Sequence, residues 1–301
     1  MAELKKPLTY EEQLVRLREG HGLVIEDESE AIDILAQVNY YRLSAYGIGL
    51  KNREDPEKYR DGISLVYLYR LYSFDCHLRN ALLQIIEHVE IELRTQIAYH
   101  ISLAYGAEGY LDPNNFVDRI NKDGESIHEI TIKKFKNEVK HQKHLPCVKH
   151  HREKYDGHFP FWAAVELFSF GMLSSMYSIM RPADQKQVAR FYNIPSSHLR
   201  KWMHFLSDIR NRCAHYGRIY NMPLPDAPRL FIENQAYSSN RIFSAFLILK
   251  RLTQGKPSWN TFLATLVGVI EEYPEANLAF MGFPKNWTQV LTSAGQYPKI
   301  I

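Results

Sequence analysis

The sequence predicts an all-α fold, and three observations carry that expectation. From Ser64 to Tyr105 there is neither proline nor glycine, and Leu65, Leu68, Leu71, Leu78, Leu82, Ile85, Ile86, Val89, Leu93, Ile97 and Ile101 recur at helical spacing. The other apolar stretches are also of helix length and are bounded by capping and breaking residues. Period-two strand patterns are nearly absent, apart from a short extended piece at residues 229–232. With 301 residues and 45% apolar content, the chain can bury a sizeable core, as one large domain or two closely packed ones.

The elements follow in order. Thr9 with Glu12 makes a capping box for a helix over 9–19, closed by Gly20 and Gly22. A second helix over 28–37 carries Ala31, Ile32, Leu35 and Val38. The run from Asn39 to Tyr46 holds three tyrosines, Tyr40, Tyr41 and Tyr46, which read as packed at a helix junction rather than as a base-stacking platform. Residues 51–62, with Pro56 and Gly62, read as a loop. The stretch 64–105 would span about 60 Å as one helix, with a bend or split near Ser73, and Gly106 and Gly109 close it. Residues 110–125 are loop-like and 126–144 form a polar helix. Pro146 and the Asp156-Gly157 pair then break the chain. Phe161 to Tyr177 reads as one buried helix in which Gly171 allows close approach of a neighbour. Helices follow over 183–192, 197–215, 239–253 and 258–272, and the last 20 residues are irregular.

Composition narrows the function classes. Net charge is +3, from 37 basic and 34 acidic residues, so bulk charge does not mark a nucleic-acid binder. Three widely spaced cysteines, Cys76, Cys147 and Cys213, argue against a disulfide framework and for a reducing compartment. The N-terminus lacks the apolar core of a signal peptide, and no run approaches a membrane span. A soluble cytoplasmic protein with no membrane partner is the expectation.

The candidate chemistry lies at Ile209-Arg210-Asn211-Arg212-Cys213-Ala214-His215, after the 197–209 helical run. Arginine can neutralise a phosphate, an amide can orient a neighbour, and histidine is the residue type suited to acid and base work near neutrality. Spacing alone does not select this pair, because Arg16–His21, Arg94–His100 and Arg152–His158 are similar. Of these, only Arg210 is followed at once by asparagine and lies between an apolar helix and a polar turn. Two readings stay open, a functional pair and a satisfied helix-end pair. RNA carries its own nucleophile, the 2′-OH, so a histidine and an arginine could cleave it without metal or cofactor. One Arg and one His make half a site, which a symmetric dimer would complete.

Two further constellations are weaker. His141, His144, Cys147, His150 and His151 carry zinc-ligand side chains, but the spacing lacks the paired clusters of zinc fingers and Pro146 interrupts it. It reads as a solvated connection or a basic patch that holds RNA, and no metal is assigned. Glu90 and Arg94 form an i, i+4 pair that is either a surface salt bridge or, if its face turns inward, support for Arg210 or His215. Arg212 and Arg218 are weak RNA-binding candidates beside the main pair.

Several strings together resemble a known family: Pro7 to Leu14 with Gly22-Leu23, Asn39 to Tyr46, Ile91 to Thr95, Pro160 to Glu166 with Ser169 to Ser174, and Ile209 to His215 with Tyr220-Asn221. In this order, over about residues 5–225, they are similar to the Abi-type abortive-infection proteins of bacteria, the AbiD/AbiF-like group. That group is similar to HEPN domains, whose active members carry Arg, a polar residue, three residues, then His. Arg210, Asn211 and His215 keep that pattern. The resemblance implies a HEPN-like bundle over 63–225, with an N-terminal helical segment (1–62) packed on it and a C-terminal helical extension (226–301) beyond the matched part. It implies metal-independent RNA cleavage across a homodimer, leaving a 2′,3′-cyclic phosphate, in phage defence. A small non-coding RNA is a partner of some relatives. The rival expectation is a defence component that binds RNA or protein without catalysis.

Overall fold

One helix organises the molecule. In the computed structural model, which describes residues 6–253 and 255–293, the proline-free and glycine-free stretch forms a single 41-residue helix, α4 (Leu65–Tyr105). The split expected near Ser73 does not occur. Ser64 caps the start, its hydroxyl accepting from the Tyr67 amide at 3.0 Å, and Gly106 ends the helix at φ 83° and ψ 176°, a conformation open to glycine. All eleven apolar positions that defined the helix in sequence are buried. Each such side chain contributes about 1.5–3 kcal/mol of burial, which outweighs the small differences in intrinsic propensity along the helix.

The remaining helices pack around this spine. The N-terminal part comprises α1 (Tyr10–Val15), continued by a wider π turn (Arg16–Gly20), then α2 (Glu28–Gln37) and α3 (Tyr40–Ser44). The Thr9–Glu12 capping box is formed. Asp27 caps α2, accepting from the amides of Ser29 and Glu30. Next come α5 (Ile127–His141) and α6 (Pro146–Lys154). Pro146 therefore opens a helix instead of breaking the chain, since proline at the first helical position gives up an N–H that has no helical partner there.

The expected single helix from Phe161 to Tyr177 is two. The first, α7 (Phe161–Ala164), passes through a 3₁₀ turn into an extended Phe168, and Ser169 caps α8 (Phe170–Ile179) by accepting from the Met172 amide. The physical reason is Ser169, whose side chain competes for helix N–H groups and favours a cap over a helix interior. A Cβ on Gly171 would stand 3.5 Å from Ser207 Oγ, an ordinary contact. The helices approach closely there without needing the glycine. After α9 (Pro182–Phe191) and α10 (Ser196–Ala214), the chain runs through irregular backbone and a 3₁₀ segment (Ile232–Tyr237) to α11 (Phe243–Thr253), α12 (Pro257–Glu272) and α13 (Trp287–Thr292).

Residues 229–231 form no strand, and the described residues hold only isolated bridges and no sheet. The last twenty residues contain α13, against expectation; those past 293 lie outside the described residues, as do 1–5. α4 packs against α2, α3, α7, α8, α9, α10, α11 and α12, while α8 is wedged between α5 and α10. Buried residues from all these parts join one apolar core. Among the described residues no helix is long and apolar enough to cross a membrane.

Candidate active site

The last turn of α10 carries Arg210, Asn211 and His215, and its ending is specific. His215 is the C-cap, with its amide donating to the Asn211 carbonyl at 2.9 Å. The Tyr216 amide reaches the Cys213 carbonyl at 3.1 Å and the Gly217 amide reaches the Arg212 carbonyl at 2.8 Å. These two bonds are those of a Schellman ending. The residue in the left-handed position is a tyrosine, at φ 58°, where glycine is usual. A Cβ on Gly217 would come within 2.7 Å of Arg212 Cγ and 3.1 Å of its carbonyl oxygen, so the turn closes hard on α10. Asn211 and His215 are four apart and share a helix face. Arg210 Nη1 reaches Asn211 Oδ1 at 3.5 Å, the long limit of a hydrogen bond.

Two carboxylates of α4 hold this element. Glu90 is buried and pairs with Arg94, and its Oε2 lies 3.7 Å from Nε of Arg210, which is half-buried. The Glu90 face thus turns inward, with Arg210 beside it. The Arg94 guanidinium also donates to the Phe168 carbonyl at 2.6 Å and lies 3.9 Å from Glu166. That carbonyl is free to accept because the chain leaves the helix at Phe168. Burial pushes the Glu90 carboxyl up from its ordinary value, and Arg94 and Arg210 oppose the shift without cancelling it.

Fifteen residues earlier, Asp75 fixes the chain after His215. Asp75 is 0% exposed. Its Oδ1 accepts from the amides of Ile219 and Tyr220 at 2.9 and 2.7 Å; its Oδ2 accepts from the Tyr46 hydroxyl at 2.8 Å and from Arg79 Nε at 3.2 Å. Burial raises the Tyr46 hydroxyl far above its ordinary range, so it stays a donor. Arg42 donates to the Tyr216 carbonyl at 2.8 Å, and Arg218 donates to the Ala45 carbonyl. Arginines thus stitch the turn to α3 from both sides. Cys213 is not a nucleophile candidate: burial pushes its thiol up to about 12.

With this geometry in place, a family comparison decides the identity. The model of the Abi-like protein family matches residues 33–221. The chain belongs to the Abi-like family. The match runs from α2 to the residue after Tyr220, so it takes in both α4 carboxylates, the break at Phe168 and the whole candidate turn. Membership ties the protein to abortive infection, a form of phage defence. No curated protein and no solved structure matches the chain.

The other sequence candidates of this Abi-like protein have local partners. His151 stacks on Phe159 at 4.7 Å and its Nδ1 lies 3.0 Å from the His158 carbonyl oxygen. His150 is exposed and meets His151 and Tyr155 edge-on. Among the described residues, no group of three or more His, Cys, Asp and Glu side chains is placed to hold a metal ion. Arg212 packs against Gly217, and Arg218 lies 5.9 Å from the centre of the Tyr46 ring.

Of the three tyrosines expected at a helix junction, Tyr46 is buried and Tyr40 stacks on His21 at 6.2 Å, but Tyr41 is 87% exposed. Sequence reasoning missed Asp75. The signal was present: a lone aspartate on the apolar stripe between Leu71 and Leu78, with Arg79 four residues on.

Proposed function

We propose that this Abi-like protein is a metal-independent endoribonuclease of phage defence, with a HEPN-like core and a site of Arg210, Asn211 and His215 completed by a second copy. The observation that carries the reading is an exposed imidazole on the same helix turn as an arginine anchored by a buried carboxylate. An arginine held by Glu90 loses less conformational freedom on meeting a phosphate, and its remaining donors suit the charge that builds on the non-bridging oxygens.

The reaction is transesterification. The RNA 2′-oxygen attacks phosphorus, the bond to the 5′-oxygen breaks, and the products are a 2′,3′-cyclic phosphate and a 5′-hydroxyl. One imidazole takes the 2′ proton and a second, protonated one gives its proton to the leaving oxygen. A single chain offers one such imidazole. Arg210 and His215, five residues apart, also leave the helix about 140° from one another. A two-fold pairing of α10 ends supplies the second histidine and lets the arginine of one copy serve the histidine of the other. Asn211, on the His215 face and in reach of Arg210, orients the two.

The test is cleavage of single-stranded RNA by wild type and His215→Ala, with binding measured in parallel and product ends analysed. Cyclic phosphate ends from wild type, with cleavage lost and binding kept in the variant, are the expected result. RNA binding that depends on Arg210 without cleavage by wild type would instead make the protein a non-catalytic RNA-binding component. Mixing wild type with His215→Ala chains also reports on pairing: where one shared site needs both imidazoles, activity falls as the square of the wild-type fraction, and a linear fall refutes the shared site.

A further inference from the structure

We propose that Tyr216 is a base-stacking platform whose exposed ring, carried on a held backbone, takes an unpaired nucleobase of the RNA strand beside His215. The inference deepens the RNA-cleaving reading and rests on it.

It starts from a misfit. The position after the α10 C-cap requires a left-handed backbone, and the chain puts tyrosine there at φ 58°. Burial does not account for the choice, because the side chain is 68% exposed. Nor is the turn loose. The Tyr216 amide is bound to the Cys213 carbonyl, its own carbonyl accepts from Arg42, Gly217 closes on Arg212, and Asp75 holds the next amides at Ile219 and Tyr220. A disfavoured conformation over-determined by its surroundings, at a residue next to the candidate catalytic histidine, is a place to look for function.

The surroundings select the ligand. An exposed aromatic ring on a held backbone suits a planar partner, and cations flank the turn: Arg42 on α3 donates to the Tyr216 carbonyl, and Arg212 on α10 packs against Gly217. A planar ring with a phosphate at each side is a nucleotide, and bases stack on protein aromatics once they leave their own helix. Tyr41, the neighbour of Arg42 on α3 and 87% exposed, offers a second ring for a neighbouring base. The expected ligand is therefore single-stranded RNA, and duplex RNA binds less well because its bases are already stacked.

The experiment is fluorescence anisotropy with a 2′-O-methyl oligonucleotide, which cannot be cleaved through its 2′-oxygen, in single-stranded and duplex form. The proteins are wild type, Tyr216→Phe, Tyr216→Asn and Tyr216→Gly. Phenylalanine keeps the ring; asparagine and glycine remove it and tolerate the left-handed backbone, so neither variant threatens folding. The expected result is affinity for the single strand within about twofold for Tyr216→Phe and a loss of about tenfold or more for the other two. An abasic nucleotide at one position of the probe then weakens wild type but not Tyr216→Gly. Equal affinity in all four proteins, or an abasic scan that wild type and Tyr216→Gly feel alike, overturns the inference and leaves the ribonuclease reading standing. A loss of dimer in place of a loss of RNA assigns the ring to a second copy and also overturns it. No binding of RNA by wild type at any salt concentration overturns both.

Discussion

Replacing Asp75 by asparagine is the sharpest test of how the candidate turn is held. The change is nearly isosteric and leaves Oδ1 to accept from Ile219 and Tyr220. It removes only the charge and the second oxygen, where Tyr46 and Arg79 donate. Arg79 is 4% exposed. Burial works against its charge, but Asp75 leads the neighbours that keep its proton bound even more firmly than usual. Asp75→Asn leaves that guanidinium buried without its counter-charge, with an amide N–H facing a second donor.

Breaking a buried pair in this way costs about 3–5 kcal/mol. Asp75→Ala costs more, because the two amides lose their acceptor as well, at about 1–3 kcal/mol each. Arg79→Met in the Asp75→Asn background removes the stranded charge and returns much of the loss. Urea unfolding at neutral pH gives the energies, and hydrogen exchange of the Ile219 and Tyr220 amides shows whether the turn opens before the whole molecule does. A cost below about 1 kcal/mol for Asp75→Asn, or a double variant no more stable than the single one, would refute the buried-pair account.

Three further outcomes follow from the same geometry. Glu90 has a folded-state value above its unfolded one, so the folded state holds that proton more tightly. Its contribution is fully present below the unfolded value and is lost as pH rises through the folded one. Wild type should therefore gain stability relative to Glu90→Gln as pH falls toward 4.5, the ordinary glutamate value, and a pH-independent difference in urea midpoint would contradict this. Tyr216→Gly trades about 1–2 kcal/mol of left-handed strain for about 0.5–1 kcal/mol of extra chain entropy. A small rise in thermal midpoint is expected, and a fall would refute the strain. Gly217→Ala forces a methyl against the Arg212 carbonyl and should cost about 1–3 kcal/mol and lower RNA cleavage; an unchanged melting temperature would show that the turn gives way.

The helices and the Thr9–Glu12 box are legible in the sequence because they are local. Thr9 with Glu12 and Ser64 before α4 each reach an amide within three residues, and an apolar stripe at helical spacing has one good solution. The differences arise where a single residue sets a helix start. Ser169 splits the expected helix after α7, and Pro146, expected to break the chain, begins a helix. The motif at Arg210, Asn211 and His215 was also legible, as residue types and order.

Its support was not. Glu90 reaches Arg210 across 120 positions of sequence, and Asp75 reaches the amides of Ile219 and Tyr220 from 144 and 145 residues away. The sequence by itself determined an all-α chain, a long helical stretch over 64–105 and an Arg–Asn–His turn at the end of a helix, because each depends on neighbours a few residues apart. Only the tertiary structure decided that Glu90 faces inward, that Asp75 clamps the chain beyond His215, and that Tyr216 stands exposed on a strained backbone. Those depend on which faces of α3, α4 and α10 meet, and packing of distant helices settles that.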